Sequence, residues 1–304
     1  MSRIASSPFA RIVEEVRAWR RLRRRTPKRL QKLETAHVIF LSPAKAGRTW
    51  VRVMLTHLCH QRYGTPLDTI IADDNLHRAV AAIPIVFFTH DVNEPPAVRA
   101  RLSAGALGER RLVHLVRDPR DVTVSRFHEL AFRKTAPERR LRGLPPDLPE
   151  WPLFAFALDE RMGLPFVIES MNRWARERAA MPRALLVRYE DLRAEPLREL
   201  GRLADFLGLG ARETELAAAV EYARFERLQA REVGGFYDRA ILRPGDRADP
   251  RTYKVRRGEV GGYRNDFSPE EVAVLDRLVD ERLLPGYGYT SSERERVEAA
   301  PGRS

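Results

Sequence analysis

Between Val38 and Leu58 the chain changes its period. Val38–Leu41 (VIFL) is a short apolar run of strand type, and Ser42–Arg48 is a loop holding a proline, a glycine, a lysine and an arginine. From Thr49 onward Trp50, Val51, Met54, Leu55 and Leu58 recur at helical spacing. A strand that turns through a short basic loop into a helix aims a row of backbone N–H groups, and the positive end of the helix dipole, at one point. Lys45 and Arg48 add mobile and forked charge there, so the loop is built to hold an anion, most often a phosphate. It is not a Walker A loop, because its lysine precedes its glycine and G-x-x-x-x-G-K-[ST] is absent. Taken alone, a surface turn with two solvated cations fits equally well.

The rest of the chain supplies the frame. Ile83–Phe88, Arg111–Val116 and Ala184–Tyr189 read as further strands. Asp68–Ala82 reads as a polar connection with a short helix, and Pro95–Leu107 as loop or short helix. Helical periods cover the stretch after Pro119 through Leu130, Phe166–Arg178, Pro196–Leu207, Glu213–Ala223 and Pro269–Leu283. In the Phe166–Arg178 helix, Val167, Ile168, Met171 and Trp174 should point inward. Arg133–Pro149, rich in Arg and Pro, is expected to be irregular, Gly234–Arg257 mobile, and the tail after Thr290 polar and frayed. Strands alternating with helices predict an α/β fold, a P-loop-like three-layer sandwich whose mostly parallel central sheet is flanked by helices. The expected organisation is a basic amphipathic segment (1–33), one catalytic domain (34–288) and a polar tail (289–304).

Charge narrows the partners. The sequence carries 54 Lys+Arg against 42 Asp+Glu, a formal +12, which favours anionic ligands. Part of the excess lies in residues 1–33, where Phe9, Ile12, Val13, Val16 and Trp19 keep a 3–4 spacing among arginines. That segment reads either as a helix docked on the catalytic domain or as a membrane-surface helix; Glu14 and Glu15 dilute its charge and favour docking. The one cysteine, Cys59, excludes an internal disulfide and a Cys-based metal site, and fits a reducing compartment as a buried structural thiol. No apolar run reaches the ~18 residues of a membrane span, and no signal-peptide pattern is read. A cytoplasmic protein is expected, with peripheral contact at the inner membrane face as the second reading of residues 1–33.

In a parallel sheet flanked by helices, ligands bind outside the carboxyl ends of the strands. The polar residues single themselves out at those ends: Lys45 and Arg48 after the first strand, His90 after the second, Arg117 after the third, Glu190 and Asp191 after the fourth. Arg117 and Ser125, eight apart across a loop and two helical turns, can converge on a second phosphate. Separately, each has a plain alternative: an ion pair with Asp118 or Asp121 for Arg117, a solvated hydroxyl for Ser125.

Taken together, K-x-G-x-T-W, then T-H, LVRDPRDVTVS, RYEDL and RRGxxGxYRNDF, in that order over about residues 37–267, resemble the PAPS-dependent sulfotransferases of the cytosolic type. PAPS is 3′-phosphoadenosine 5′-phosphosulfate. The resemblance implies that residues 45–50 (Lys45, Ala46, Gly47, Arg48, Thr49 and Trp50) form the donor loop. Lys45 would bridge to the leaving phosphate oxygen, Arg48 and Thr49 would bind the 5′-phosphate, and Trp50 would lie against the adenine. It implies that Arg117 and Ser125, joined by Arg256, Arg257 and Gly258, hold the 3′-phosphate, that Tyr189 borders the adenine, and that His90 is the general base. The implied reaction moves a sulfuryl group from PAPS to a hydroxyl of a small-molecule, lipid or carbohydrate acceptor and leaves adenosine 3′,5′-bisphosphate. It needs no metal and no nucleic acid; the oligomeric state stays open. An imidazole with an ordinary pKa near ~6.5 can take a hydroxyl proton at neutral pH.

Some positions depart from that pattern. Ala46 stands for a serine, Arg48 for a threonine, Phe88 for a lysine two residues before His90, Ala223-Arg224 for Thr-Ser, and Tyr263 for a tryptophan. The acceptor side should be walled by segments around Asp91–Pro96, Arg133–Trp151 and Phe236–Leu242. Two other classes compete: a nucleotide-dependent phosphotransferase, which lacks a Walker lysine here, and a basic nucleotide- or membrane-binding protein with a degenerate site.

Overall fold

The computed structural model describes residues 26–298 except 238–241, 243–244, 247 and 256. Four strands, β1 (Val38–Leu41), β2 (Val86–Thr89), β3 (Arg111–Val116) and β4 (Ala184–Arg188), form one parallel sheet in the order β2-β1-β3-β4. All four residues of β1 are buried, as a central strand covered on both faces requires. Alternation along β1 divides the core. Val38 and Phe40 pack with Val51, Met54, Leu55 and Leu58 of the helix Arg48–Tyr63, and with Leu200 and Leu203 of Pro196–Leu207. Ile39 and Leu41 face the other way, toward Trp174 of the helix Leu164–Ala179. Helices therefore cover both faces, giving the three layers read from the sequence.

Most expected elements fall in place, and the departures have local causes. Tyr189, assigned to β4, instead opens the helix Tyr189–Ala194. Asp68–Ala82 runs as turns without the expected helix: Asn75 Oδ1 accepts from the N–H groups of Ala72 and Leu76, and Asp73 takes φ 48°. Those local bonds replace a helical ladder. The Arg133–Pro149 excursion contains a helix, Ala136–Leu141, started by a Thr135/Glu138 capping box with a proline in its first turn. The stretch after Thr290, expected to be frayed, opens with the helix Ser291–Glu298. Glu293 accepts from the N–H groups of Gly286 and Gly288 and from the Thr290 hydroxyl, which fixes that helix's start.

Of the basic segment, only residues 26–33 are described, and these lie in a helix spanning 26–35. Arg29 docks it: its guanidinium pairs with Glu94 (2.5 Å) and Asp73 (3.2 Å), donates to the Phe88 carbonyl (3.1 Å) and lies over the Phe87 ring. The membrane reading of residues 1–25 lies outside the described residues. Cys59 is buried, and burial pushes its thiol up to about 12.

One buried ion set locks the turn after β3. Arg120, with no exposed surface, is held by Asp118 (2.7 Å), by Asp276 and by the Tyr289 carbonyl. Lysine keeps the charge but not the fork, so Arg120→Lys should cost ~1–3 kcal/mol in urea unfolding, read as a lower midpoint at unchanged slope.

Candidate active site

Strand order lines up the functional turns. Along the carboxyl edge of the sheet come His90 after β2, the Ser42–Gly47 loop after β1, Arg117 after β3 and Tyr189 after β4. All open into one cleft of about 1070 Å³, which Lys45, Gly47, Arg48, Thr49, Trp50, Ser125, Arg257 and Gly258 also line. Of the expected site residues, Ala46 is the exception: it is wholly buried in the core and can offer only backbone. Arg256 lies outside the described residues.

The loop owes its shape to two left-handed residues, Lys45 (φ 78°) and Gly47 (φ 91°). A Cβ on Gly47 would stand 2.6 Å from the Tyr189 ring, so only glycine lets β1's loop and β4's exit approach this closely. The following helix starts without a side-chain cap and without an acidic residue in its first turn. Trp50 N–H donates to the Gly47 carbonyl at 2.9 Å, so of the leading N–H groups those of Arg48 and Thr49 are the ones a ligand can take. Lys45 is largely buried, with its amine 3.3 Å from Glu129 Oε2. Burial, with Arg133 nearby, lowers the Lys45 pKa, and Glu129 partly restores it.

His90 faces this loop and not the apolar interior. Its Nδ1 is 2.9 Å from the Ser42 carbonyl, which can only accept, so Nδ1 carries the proton and Nε2 presents its lone pair. Arg48 Nη2 donates to that lone pair at 2.6 Å. Burial, then the Arg48 charge, hold the His90 pKa well below its ordinary value, and Lys254 adds to the effect. Arg48 is itself pushed down to about 9 by burial and by Arg52 and Arg29. Its Nη1 is buried and has no hydrogen-bond partner among the described residues. The turn after His90 is pinned by buried Asp91 (φ 56°), which accepts from Arg173 (2.7 Å) and Trp174 Nε1 (3.1 Å).

The second charged patch sits at β3. Arg117 lies over the Tyr189 ring, 4.4 Å from its centroid. It pairs with Asp121 at 3.3 Å and donates to the carbonyls of Glu259 (2.6 Å) and Lys45 (3.5 Å). It therefore staples the β1 loop to the late glycine loop, while its Nε is buried without a partner among the described residues. Asp121 also receives the N–H groups of Gly261 and Tyr263, fixing the late loop from below. The Tyr189 hydroxyl donates to the Gly258 carbonyl at 3.0 Å, and a Cβ on Gly258 would meet Phe225 at 2.9 Å. Arg257 is partly exposed and pairs with Asp266 at 3.0 Å. Trp50 donates from Nε1 to the Ala223 carbonyl (2.9 Å) and sits edge-on to Tyr189. Glu190 and Asp191 are structural: Glu190 accepts from Asp118 N–H and the Tyr289 hydroxyl, and Asp191 pairs with Arg188.

Two charged residues close to Lys45, Glu129 and Lys254, went unread in the sequence. Glu129 stands one helical turn beyond Ser125, at the start of a π-helical turn, Glu129–Arg133. Its i+4 spacing from Ser125 was the available signal. Lys45, Arg133, Lys254 and Lys134 together hold its carboxyl at about 2 against the opposing effect of burial. Lys254, two residues before the Arg-Arg-Gly block, carries no sequence signal of its own. Phe88 is buried against Phe40, so no lysine enters from β2. The expected acceptor walls do contribute to the cleft, through Val92, Asn93, Lys134, Leu144, Trp151 and Leu242.

A family model for the sulfotransferase domain matches residues 35–285. The chain belongs to the sulfotransferase family. Cytosolic sulfotransferase 13 of Arabidopsis thaliana is 26% identical to it over 261 residues, covering 81% of this chain and 76% of the relative. A flavonol sulfotransferase-like protein of Flaveria bidentis is 24% identical over 270 residues, covering 83% of each. Among solved structures, mouse sulfotransferase SULT7A1 complexed with PAP superposes with a TM-score of 0.52 at 18% identity, over 86% of this chain and 88% of that one. Retinol dehydratase in complex with androsterone and PAP gives 0.51 at 20% identity, over 82% and 80%. At these identities the two structures speak for the fold, and they bear out the layered α/β architecture. The sulfotransferase is an enzyme of the PAPS-dependent kind that its motif order implied.

Proposed function

We propose that this sulfotransferase moves a sulfuryl group from PAPS to a hydroxyl of a small-molecule, lipid or carbohydrate acceptor, with His90 as general base and Lys45 at the leaving phosphate. The observation that carries the proposal is the His90 tautomer: Nδ1–H is tied to the Ser42 carbonyl, so Nε2 faces the cleft as a base beside the Lys45 loop. Two buried, unpartnered N–H groups, on Arg48 and on Arg117, suit the two ends of an adenosine bisphosphate. The helix-start N–H groups with Arg48 and Thr49 take the 5′-phosphosulfate. Arg117 and Ser125, with Arg256, Arg257 and the Gly258 turn, take the 3′-phosphate, and Trp50 and Tyr189 flank the base. Arg117 lies close to the late loop and to Lys45, so both patches serve one ligand. Both complexes named above hold PAP, which supports the same donor here.

PAPS supplies the activated sulfuryl group. As the acceptor oxygen bonds to sulfur, His90 Nε2 takes the hydroxyl proton; Arg48 must leave that lone pair first. The bond from sulfur to the bridging phosphate oxygen breaks with its electron pair on phosphate, where Lys45, released from Glu129, meets the new charge. The acceptor lies against the walls from Val92, Leu144 and Trp151. We place the enzyme in the cytoplasm, as its cytosolic relatives' names suggest. Incubation with ³⁵S-labelled PAPS and a panel of phenols, alkyl alcohols and glycans should give a labelled product with at least one class. Transfer to none, together with no binding of adenosine 3′,5′-bisphosphate, would refute the proposal.

A further inference from the structure

Among the described residues the charges around His90 and Lys45 pair off, with two exceptions. Lys45 is 3.3 Å from Glu129, Arg133 reaches Glu129 (3.3 Å) and Glu232 (3.5 Å), and Lys134 reaches Glu129 and Glu138. Among the described residues the Lys254 amine makes no hydrogen bond and no ion pair, although it lines the cleft. Arg48 Nη1 is buried and equally unpartnered. Both lie at the reacting end: His90 contacts Arg48 directly, and the charge of Lys254 acts on His90, Lys45 and Glu129 alike.

Lys254 is also held firmly where it is. The N–H groups of Lys254 and Val255 both donate to the carboxylate of fully buried Glu232, at 2.7 and 2.8 Å. Gln229 Nε2 donates to the Val255 carbonyl at 3.1 Å. The Glu232 carboxylate also pairs with Arg133, so one buried anion ties the Lys254 backbone to the charges around Glu129. What the loop delivers is an ammonium side chain among Lys45, Arg133 and Arg48, whose repulsion Glu129 offsets in part, an arrangement that an incoming anion stabilises further.

We propose that Lys254 is a further catalytic residue of this sulfotransferase: with Arg48 Nη1, it holds the oxygens of the sulfuryl group in transit. The proposal rests on the reading of the cleft as a PAPS site. Lys254 neither gains nor loses a bond to sulfur. The acceptor oxygen bonds to sulfur, the bridging oxygen departs with its electron pair on phosphate, and the acceptor proton goes to His90. Throughout, the three non-bridging sulfuryl oxygens carry negative charge, and two cations besides Lys45 can follow them from donor to acceptor. Burial and its cationic neighbours lower the Lys254 pKa in the free enzyme, and the donor's charge favours its protonation.

The test compares adenosine 3′,5′-bisphosphate with PAPS, which differ by the sulfuryl group, on wild type, Lys254→Met and Lys254→Arg, by titration calorimetry. It needs no knowledge of the acceptor. Lys254→Met should weaken PAPS binding by ~10–100-fold while leaving the bisphosphate within about threefold, and Lys254→Arg should restore much of the difference. The rate of PAPS hydrolysis by water should fall in Lys254→Met by at least ~10-fold. Equal affinities for PAPS in wild type and Lys254→Met, or equal losses for both ligands, would overturn the proposal. Wild type that binds neither nucleotide would overturn the site reading itself.

Discussion

Replacing His90 by alanine lowers turnover by ~10²–10⁴-fold and leaves the affinity for adenosine 3′,5′-bisphosphate within about twofold. The separation follows from the position of the ring. His90 lies at the β2 end of the row of turns, beside the β1 loop and on the far side of it from Arg117 and Tyr189. Its Nδ1 bond to Ser42 sets the tautomer, and Nε2, now facing Arg48, is the atom that would take the proton under the proposed mechanism. Lys45→Ala should differ by damaging both quantities, since the proposed mechanism places the amine at the leaving phosphate. The pH profile carries the same signature. In the free enzyme, burial and Arg48 disfavour imidazolium, so the acid limb of kcat/KM for PAPS should lie below the ordinary ~6.5 of histidine. Bound donor adds negative charge, which favours imidazolium, so the acid limb of kcat should lie higher than that of kcat/KM. A His90→Ala enzyme that keeps wild-type kcat would remove the general base from the account.

Arg117→Met should cut the affinity for adenosine 3′,5′-bisphosphate by ~30–1000-fold while changing that for adenosine 5′-phosphosulfate, which lacks the 3′-phosphate, by less than about threefold. The two ligands separate recognition from scaffolding. Arg117 ties the Lys45 carbonyl to the Glu259 carbonyl, so a purely structural role would loosen both loops and weaken both ligands equally. Its buried, unpartnered Nε and the Ser125 hydroxyl one helix away argue for a phosphate instead. Asp121 is the natural control. It holds Arg117 and also the Gly261 and Tyr263 N–H groups, so Asp121→Asn should lower affinity for both ligands.

What was legible in the sequence was what a single dominant force sets. β3 appeared at Arg111–Val116 and the helix Pro196–Leu207 at its observed ends, because apolar period and flanking proline or charge coincide there. The shared cleft followed from one topological rule, that polar residues at the strand ends meet. Elements that were short or thin in apolar period were missed. The helix Phe225–Gly234 buries only Leu228 and Glu232, and Leu153–Leu158 is six residues long. Thr135-x-x-Glu138 did announce a helix, but the arginines and prolines around it outweighed a signal of one capping box. Tyr189 has the aromatic character of a strand residue, yet the chain turns there because its ring must cover Gly47 and its hydroxyl must reach Gly258. In the site, residues tied to a motif were found, and those placed by the fold alone were not. Lys254 enters the cleft because Glu232, on an unforeseen helix, grips its backbone. No local pattern encodes that contact.

Calorimetric titration of the wild-type protein with adenosine 3′,5′-bisphosphate and with adenosine 5′-monophosphate tests the central claim, that two patches of positive charge clasp the two ends of one nucleotide. The account predicts saturable binding of one bisphosphate per chain, at least ~30-fold tighter than the monophosphate, with the preference shrinking as salt rises. Equal affinities for the two nucleotides, or no heat with either, would contradict it.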